Sequence, residues 1–389
     1  MVSMRWIGGF AVGVGLLVLC SSISVANVEM AGTSLNGVVS SSQKAVSDSL
    51  EPWQINLGGR VQFQSYGTID ESREQVTQLG ATVRRFRVKL FGALPSHNIS
   101  FYTQPSFDRG EAGLELAYID WNPWKKTEVT VGQFKVPATR QFMVSSGRLQ
   151  LVDRSFADAE HRLLYDVGLM VRQRLSIGER SLVQMYGSAT TGEGSERAPA
   201  EGGYSYTVRM EYLPLSDFDQ YRISDLTRSN RLRISGAMAY NLNVDAVQTG
   251  GSIGKYMGGF QSDIGTVYAD LLLKYNGWSL FSQGTLREAV PATDAPGFGD
   301  LNVINEGNTF VVQSGYMVSD KTEITGRFAL YNPSKQVDYA IEGRRQYTVG
   351  ATHFFRSDEL KVQFDAGYIE NTPVDHGHLI VRGQLQIDF

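Results

Sequence analysis

The chain has 389 residues with 41 Gly, 11 Pro, 11% aromatics, one cysteine and a formal charge of -4 at a pI near 5.8. That balance argues against general nucleic-acid binding, although a local basic lining can sit inside a slightly acidic whole. Plentiful Gly and aromatics with sparse Pro suit strands and turns better than helix bundles.

Met1 to Ala26 reads as a secretory signal peptide: Arg5 in a short n-region, an apolar stretch from Ile7 to Leu19, and small residues at Ser24 and Ala26 before the expected cut. Bulky Leu19 ahead of Cys20 argues against a lipoprotein site. The apolar run also falls short of the ~20 residues that a spanning helix needs. With the leader removed no cysteine remains, which excludes disulfides, thiol catalysis, cysteine metal sites and covalent c-type haem. Residues 27–52, rich in Ser, Asn and small side chains, read as a periplasmic N-terminal extension, either flexible or a short helix, and 53–389 as one barrel domain.

From Trp53 the pattern changes. Ile55, Leu57, Val61 and Phe63 alternate with Gln54, Asn56, Arg60, Gln62 and Gln64, the period of two that gives a strand one apolar and one polar face. The alternation recurs at Phe86, Val88 and Leu90 against Arg85, Arg87 and Lys89, and at Tyr165, Val167, Leu169 and Val171 against Asp166, Arg172 and Arg174. Tyr204 to Tyr212, Leu232 to Tyr240, Ile324 to Leu330 and Leu360 to Tyr368 repeat it, and less regular strands fit near 114–121, 127–135, 181–190, 264–275, 277–288, 308–318 and 345–355. About sixteen such segments separated by turns are the signature of an all-β, antiparallel transmembrane barrel.

A soluble β-sandwich also alternates, but its strands are commonly about five or six residues long. Aromatics collect at the strand ends here (Trp53, Tyr66, Trp121, Trp124, Tyr240, Tyr275, Trp278, Tyr331), as they do at membrane interfaces. Stretches near 191–203, 241–260 and 289–307 are expected as long external loops, with short turns at NPWKKT, SIGERS and VSDKT on the periplasmic side. The last segment places Leu385, Ile387 and the terminal Phe389 on one apolar row, resembling the C-terminal signal read by the barrel-assembly machinery of bacterial outer membranes.

Between Gly132 and Ser155 the alternation lapses, and loops of that length inside compact domains are usually functional or disordered. This one carries Lys135, Arg140, Arg148 and Arg154 against the single acid Asp153. Parity puts Arg60, Arg85, Arg87, Lys89, Arg172, Arg174, Arg209, Arg231, Arg233, Arg327, Lys361 and Arg382 on the polar, lumenal side, with Asp108, Asp166, Glu211, Glu323, Asp365 and Asp388. Rings of Arg and Lys favour anions in a pore. The competing reading is that the arginines pair across strands and hold the wall. Arg327 with Glu323 and Arg209 beside Glu211 favour that reading locally, whereas the row Arg85, Arg87 and Lys89 has no acid on its own strand.

Taken together, GGRVQFQ, VRRFRVKLFG, LAYIDW, VGQFKVP, LVDRS, YDVGL, DQYRISDL, ADLLLKYNGWSL, VVQSGYMVSDKTEITGRFALYNP and YTVGATHFF resemble the phosphate-selective porin O and P family of bacterial outer membranes. The resemblance implies a sixteen-stranded homotrimeric porin, set in outer-membrane lipid, whose third loop folds inward to narrow the lumen, with inorganic anions such as phosphate or polyphosphate as permeants. Lys135 and Pro137 match the family's strand-end motif before that loop, and Arg154 its closing element. Where the family often has an aromatic and a glycine after the proline, this chain has Ala138 and Thr139.

No HExxH, P-loop or dinucleotide fingerprint is present, so the expectation is a non-enzyme without cofactor or metal; His376 and His378 in a polar turn are too few to hold one. Two functions remain. One is a passive anion-preferring channel with Lys135, Arg140, Arg148 and Arg154 at its constriction and Arg60, Arg85, Arg87, Lys89, Arg172, Arg174, Arg231 and Arg233 lining it. The other is a barrel serving as sheath or scaffold for a periplasmic partner such as an electron carrier, with little open pore.

Overall fold

A chain that must cross lipid as strands has to pair every backbone N–H and C=O, which only a closed sheet achieves. The computed structural model, whose described residues are 53–70, 75–195, 203–257, 261–290, 304–335, 337, 341–372 and 376–389, meets that demand. The expected leader over 1–26 and extension over 27–52 lie outside the described residues.

Sixteen strands follow in chain order: β1 (Gln54–Asp70), β2 (Gln75–Leu94), β3 (Ile99–Ser106), β4 (Gly113–Trp124), β5 (Thr127–Lys135), β6 (Tyr165–Ile177), β7 (Ser181–Thr190) and β8 (Ser205–Leu213). The second half comprises β9 (Arg233–Ala246), β10 (Ser262–Tyr275), β11 (Trp278–Val290), β12 (Gly307–Ser319), β13 (Thr322–Pro333), β14 (Gly343–Arg356), β15 (Leu360–Thr372) and β16 (His376–Asp388). Each pairs antiparallel with its neighbour, and β1 pairs with β16 from Arg60↔Asp388 to Asp70↔His378, closing the barrel. β9 continues to Ala246, so the connection expected from 241 begins only at 247.

The two faces are inverted relative to a soluble fold. Leu79, Val208 and Phe364 are 84%, 59% and 62% exposed, whereas Gln62, Thr207, Glu211 and Gln386 are buried. Leu385, Ile387 and Phe389 stand on the exposed row, and Phe389 closes the seam by exchanging main-chain hydrogen bonds with Gly59 at 2.6 and 2.9 Å. Trp53, Trp121, Trp124, Tyr275 and Trp278 are exposed at strand ends as expected, whereas Tyr240 is exposed in the middle of β9, which runs on past it. Tyr331 is not: it is fully buried, its hydroxyl donates to the Glu306 carbonyl at 2.9 Å, and its ring meets His161 edge-on.

Some inward positions are apolar. Leu272, Phe281, Val311 and Ala329, on four consecutive strands from β10 to β13, form one buried cluster with Val144, Leu149, Ala157 and Ile223, which belong to connections between strands. The apolar core of this protein therefore sits on the inward side of the wall.

Candidate functional site

Residues 136–164 join β5 to β6 and carry two short helices, α1 (Arg140–Met143) and α2 (Phe156–His161), with a 3-10 turn at Ser146–Arg148 between them. Each begins at a hydroxyl cap: Thr139 accepts from the Phe142 N–H, Ser145 from Gly147 and Ser155 from Asp158. Thr139, which departs from the family pattern, thus starts α1, and its Oγ1 donates to Asp158 Oδ1 at 2.7 Å. Val136 and Ala138 pack with Leu163, Ala239 and Tyr268.

The last carbonyls of a helix lack partners within it. In α1 they are taken by two of the predicted cations. Lys135 Nζ donates to the carbonyls of Phe142, Met143 and Val144 at 2.8, 3.3 and 3.5 Å. Arg154 donates to those of Gln141, Phe142 and Val144 at 2.8, 3.4 and 2.6 Å. Lys135, Arg154 and Arg162 also stand 4.9, 5.2 and 5.6 Å from the centre of the Phe142 ring. Arg287 treats α2 likewise, donating to the Glu160 and His161 carbonyls at 3.2 and 3.0 Å.

Arg140 is fully buried, with Nε on Asp270, Nη1 on Gln220 Oε1 at 2.9 Å and Nη2 on Ser235 at 2.9 Å. Asp270 also receives Arg209 at 2.7 Å, and Arg209 holds Glu211 at 2.7 Å, so two cations face two acids. Arg148, partly exposed, pairs with Asp219 at 3.3 Å.

The segment's other contacts run round the inward face of the wall. Ser146 Oγ accepts from Arg60 at 2.9 Å and Arg87 at 3.3 Å. The Gly147 carbonyl accepts from Gln386 at 3.0 Å and that of Leu149 from Lys361 and Gln363 at 2.9 and 3.0 Å. Gln150 reaches Ser279, Gln313 and Glu323. Asp153 is a hub: its carboxylate meets Arg84 at 3.2 Å, Arg85 at 3.1 Å and Arg382 at 3.6 Å, and its carbonyl accepts from Arg327 at 2.9 Å. Burial opposes ionisation of Asp153, but the guanidiniums of Arg85, Arg84 and Arg382 outweigh it and hold the carboxyl well below the usual carboxylate range.

The row without an acid on its own strand finds acids from elsewhere. Lys89 and Arg60 share Asp388, the latter through Nε at 2.7 Å; Arg87 meets Asp108 at 2.6 Å and also Glu115. Arg172 pairs with Glu128 at 2.8 Å, Arg174 with Asp217 at 2.7 Å, and Arg233 donates to Ser216 and Ser229. Arg231 is exposed and precedes β9 rather than lining it.

Two departures from simple parity matter. A register shift between Gln62 and Phe63 leaves Arg84 unpaired opposite β1, so Arg84 and Arg85 both reach Asp153. Near the start of the segment Gly132 has φ 126°, and a Cβ there would lie 2.3 Å from the Ala117 carbonyl oxygen. Tyr165, which parity assigns to the apolar row, instead donates to Glu115 at 2.9 Å and packs edge-on against Phe142. Asp270, Glu115 and Arg84 are the participants that periodicity alone does not single out.

Residues 55–251, over half of the chain, match the family described as phosphate-selective porin O and P. The chain belongs to that family. This porin is also similar, at 23% identity over 300 residues covering 71% of it and 67% of the relative, to an uncharacterized protein of Aquifex aeolicus. Among solved structures its barrel is similar to that of Pseudomonas putida OprB, at 12% identity and TM-score 0.57 over 86% of this chain and 94% of the other. It is similar also to the outer-membrane channel DcaP of Acinetobacter baumannii, at 13% and 0.54 over 87% and 97%. The family and the barrel place the porin in the outer membrane as a channel.

Proposed function

We propose that this porin is a passive diffusion channel preferring anions such as phosphate, with residues 136–164 folded inward as its constriction. The observation that carries the anion preference is the pair Lys135 and Arg154 beside Phe142; the third cation at that ring, Arg162, pairs with Asp158 at 3.7 Å. Among the described residues, Lys135 and Arg154 end on main-chain carbonyls rather than on carboxylates, so their charge is not cancelled by contact. The site at Asp153 adds to it, with Arg84 and Arg85 on its carboxylate and Arg382 shared between Asp153 and Asp365. A cationic lining lowers the barrier for anions and raises it for cations. In this reading the protein works as a homotrimer, and Leu385, Ile387 and Phe389 on the lipid-facing row are what the barrel-assembly machinery reads.

Planar-bilayer recording under a salt gradient tests the proposal. An anion-directed reversal potential is expected, and a cation-directed one would sink it. The inward apolar cluster of Val144, Leu149, Ile223 and Phe281 favours a second reading, a largely closed barrel acting as scaffold for a periplasmic partner. Absence of any conductance in folded protein would decide for that reading.

A further inference from the structure

β8 and β9 are neighbours in the sheet, paired from Ser205↔Asn243 to Tyr212↔Gly236, so a few residues suffice to join them. At this end of the barrel the other connections are indeed short: 95–98, 125–126, 178–180, 276–277, 320–321 and 357–359. Residues 214–232 are the exception, and their contacts do not stay at the rim. The Tyr221 hydroxyl meets Tyr186 of β7 at 2.9 Å and Glu211 of β8 at 2.7 Å. The Asp219 carbonyl accepts from Lys274 of β10 at 3.0 Å, and Ser224 donates to Glu323 of β13 at 2.7 Å. Ile223, 1% exposed, packs among Leu272, Phe281, Val311 and Ala329.

Adjacent strands lie ~4.8 Å apart, so β7 and β13 are separated by roughly 29 Å of wall. A connection rooted between β8 and β9 touches inward side chains on both only by crossing the space the barrel encloses. There it meets the β5–β6 segment from the opposite end. Ile223 shares its cluster with Val144 and Leu149, Gln220 Oε1 accepts from Arg140, and Asp219 pairs with Arg148. The last pair differs from the buried ones in exposure, with the Arg148 side chain 17% and the Asp219 side chain 36% accessible. It borders water.

We infer that residues 214–232 are the second half of the constriction, entering from the rim that carries the chain's C terminus, and that Asp219 sets selectivity by offsetting Arg148. This deepens the channel reading and rests on it. Both halves are needed to define the narrowest passage, and one acid on the second half moderates the cationic character of the first. Because the pair is partly solvated, it contributes little to stability. Its removal should therefore change permeation without unfolding the barrel.

The test uses the full-length porin in planar bilayers, with heat-modifiable electrophoretic mobility as the check on folding. Asp219→Asn should raise the anion-to-cation permeability ratio roughly ten- to twentyfold, since one unit charge a few ångström away in water changes the permeability of each ion about three- to fivefold, in opposite directions. Arg148→Gln should lower it by a similar factor, and the double variant should return near the wild-type ratio. Ile223→Ser, which loosens the second half from the first, should raise single-channel conductance. A merely structural role for the connection would alter yield but leave the reversal potential of folded channels where it was. Unchanged reversal potentials in folded Asp219→Asn and Asp219→Lys channels would overturn the inference while leaving the anion reading intact. A cation-directed wild-type channel that still shifts with Asp219→Asn would do the reverse.

Discussion

Lys135 and Arg154 donate to the same main-chain oxygen, that of Phe142, at 2.8 and 3.4 Å, and both also reach the Val144 carbonyl. One lies at the end of β5 and the other in the return limb of the β5–β6 segment, so together they clamp α1 at its C-terminal end. Arg154→Met should leave those carbonyls short of donors inside the protein, at about 1 to 3 kcal/mol for each group left unsatisfied. The barrel should still form, because its own ladder is untouched. Single-channel records should show increased open-state current noise as the segment loosens; a quiet channel with unchanged conductance would show that the clamp is dispensable.

Arg140 and Arg148 should behave differently although both are loop cations. Arg140→Ala leaves buried Asp270 with Arg209 alone, and breaking a buried pair typically costs about 3 to 5 kcal/mol. Arg148→Ala removes a partly exposed pair worth under about 1 kcal/mol. Both should shift selectivity toward cations, but only Arg140→Ala should measurably lower the thermal transition of the folded porin. Thermal melts in detergent beside reversal potentials separate the two effects.

His161 supplies a pH dependence. Its Nε2 hydrogen-bonds the Asn305 carbonyl at 3.0 Å, which places the proton of the neutral ring on that nitrogen, and Nδ1 lies 2.7 Å from Thr285 Oγ1. Burial, reinforced by the nearby charge of Arg287, pushes the imidazole well below its ordinary value. The unfolded chain therefore takes up the proton first as pH falls. Stability from this group is complete above about pH 6.5 and declines below it, toward the depressed value of the folded state. His161→Gln should flatten that acid limb in a pH series of thermal melts, and an acid limb identical to wild type would exclude His161 as its source.

The C-terminal row can be separated into packing and recognition. Deleting Phe389 removes two seam hydrogen bonds to Gly59 and an exposed ring. Gly59→Ala disturbs the same seam from the other side, since a Cβ there would lie 2.6 Å from the Phe389 ring. If the terminal row is also read during assembly, loss of Phe389 should lower the outer-membrane level of folded porin well beyond Gly59→Ala. Equal losses would reduce the row to packing alone.

Much of this molecule is legible one strand at a time, because lipid outside and water inside impose a period of two that survives in short windows. Strands such as β7 and β5 run over the residues that alternation and turns suggest, 181–190 and 127–135. Charge pairing is not legible in that way. Arg60 and Asp388 are 328 positions apart, and only closure of the barrel makes them neighbours. Tyr331 shows the same limit: an aromatic at a strand end reads as a membrane anchor until its inward direction and the Glu306 carbonyl are known. Arg84 needed the register shift, and the connection 214–232 shows in the sequence as the family-like DQYRISDL within a stretch between Tyr212 and Leu232, rich in Asp, Ser and Arg, that no strand claims.

Arg60 of β1 holds Ser146, and Gln386 of β16 holds Gly147, while Gln62 and Gln386 are directly paired across the closing seam. Consecutive residues of the β5–β6 segment are thus tied to the first and last strands. Such contacts are of high sequence separation, the kind that slows folding because the chain must be ordered before they are rewarded. The tip of that segment works as a strap across the closing seam, holding the first and last strands by contacts additional to their own ladder.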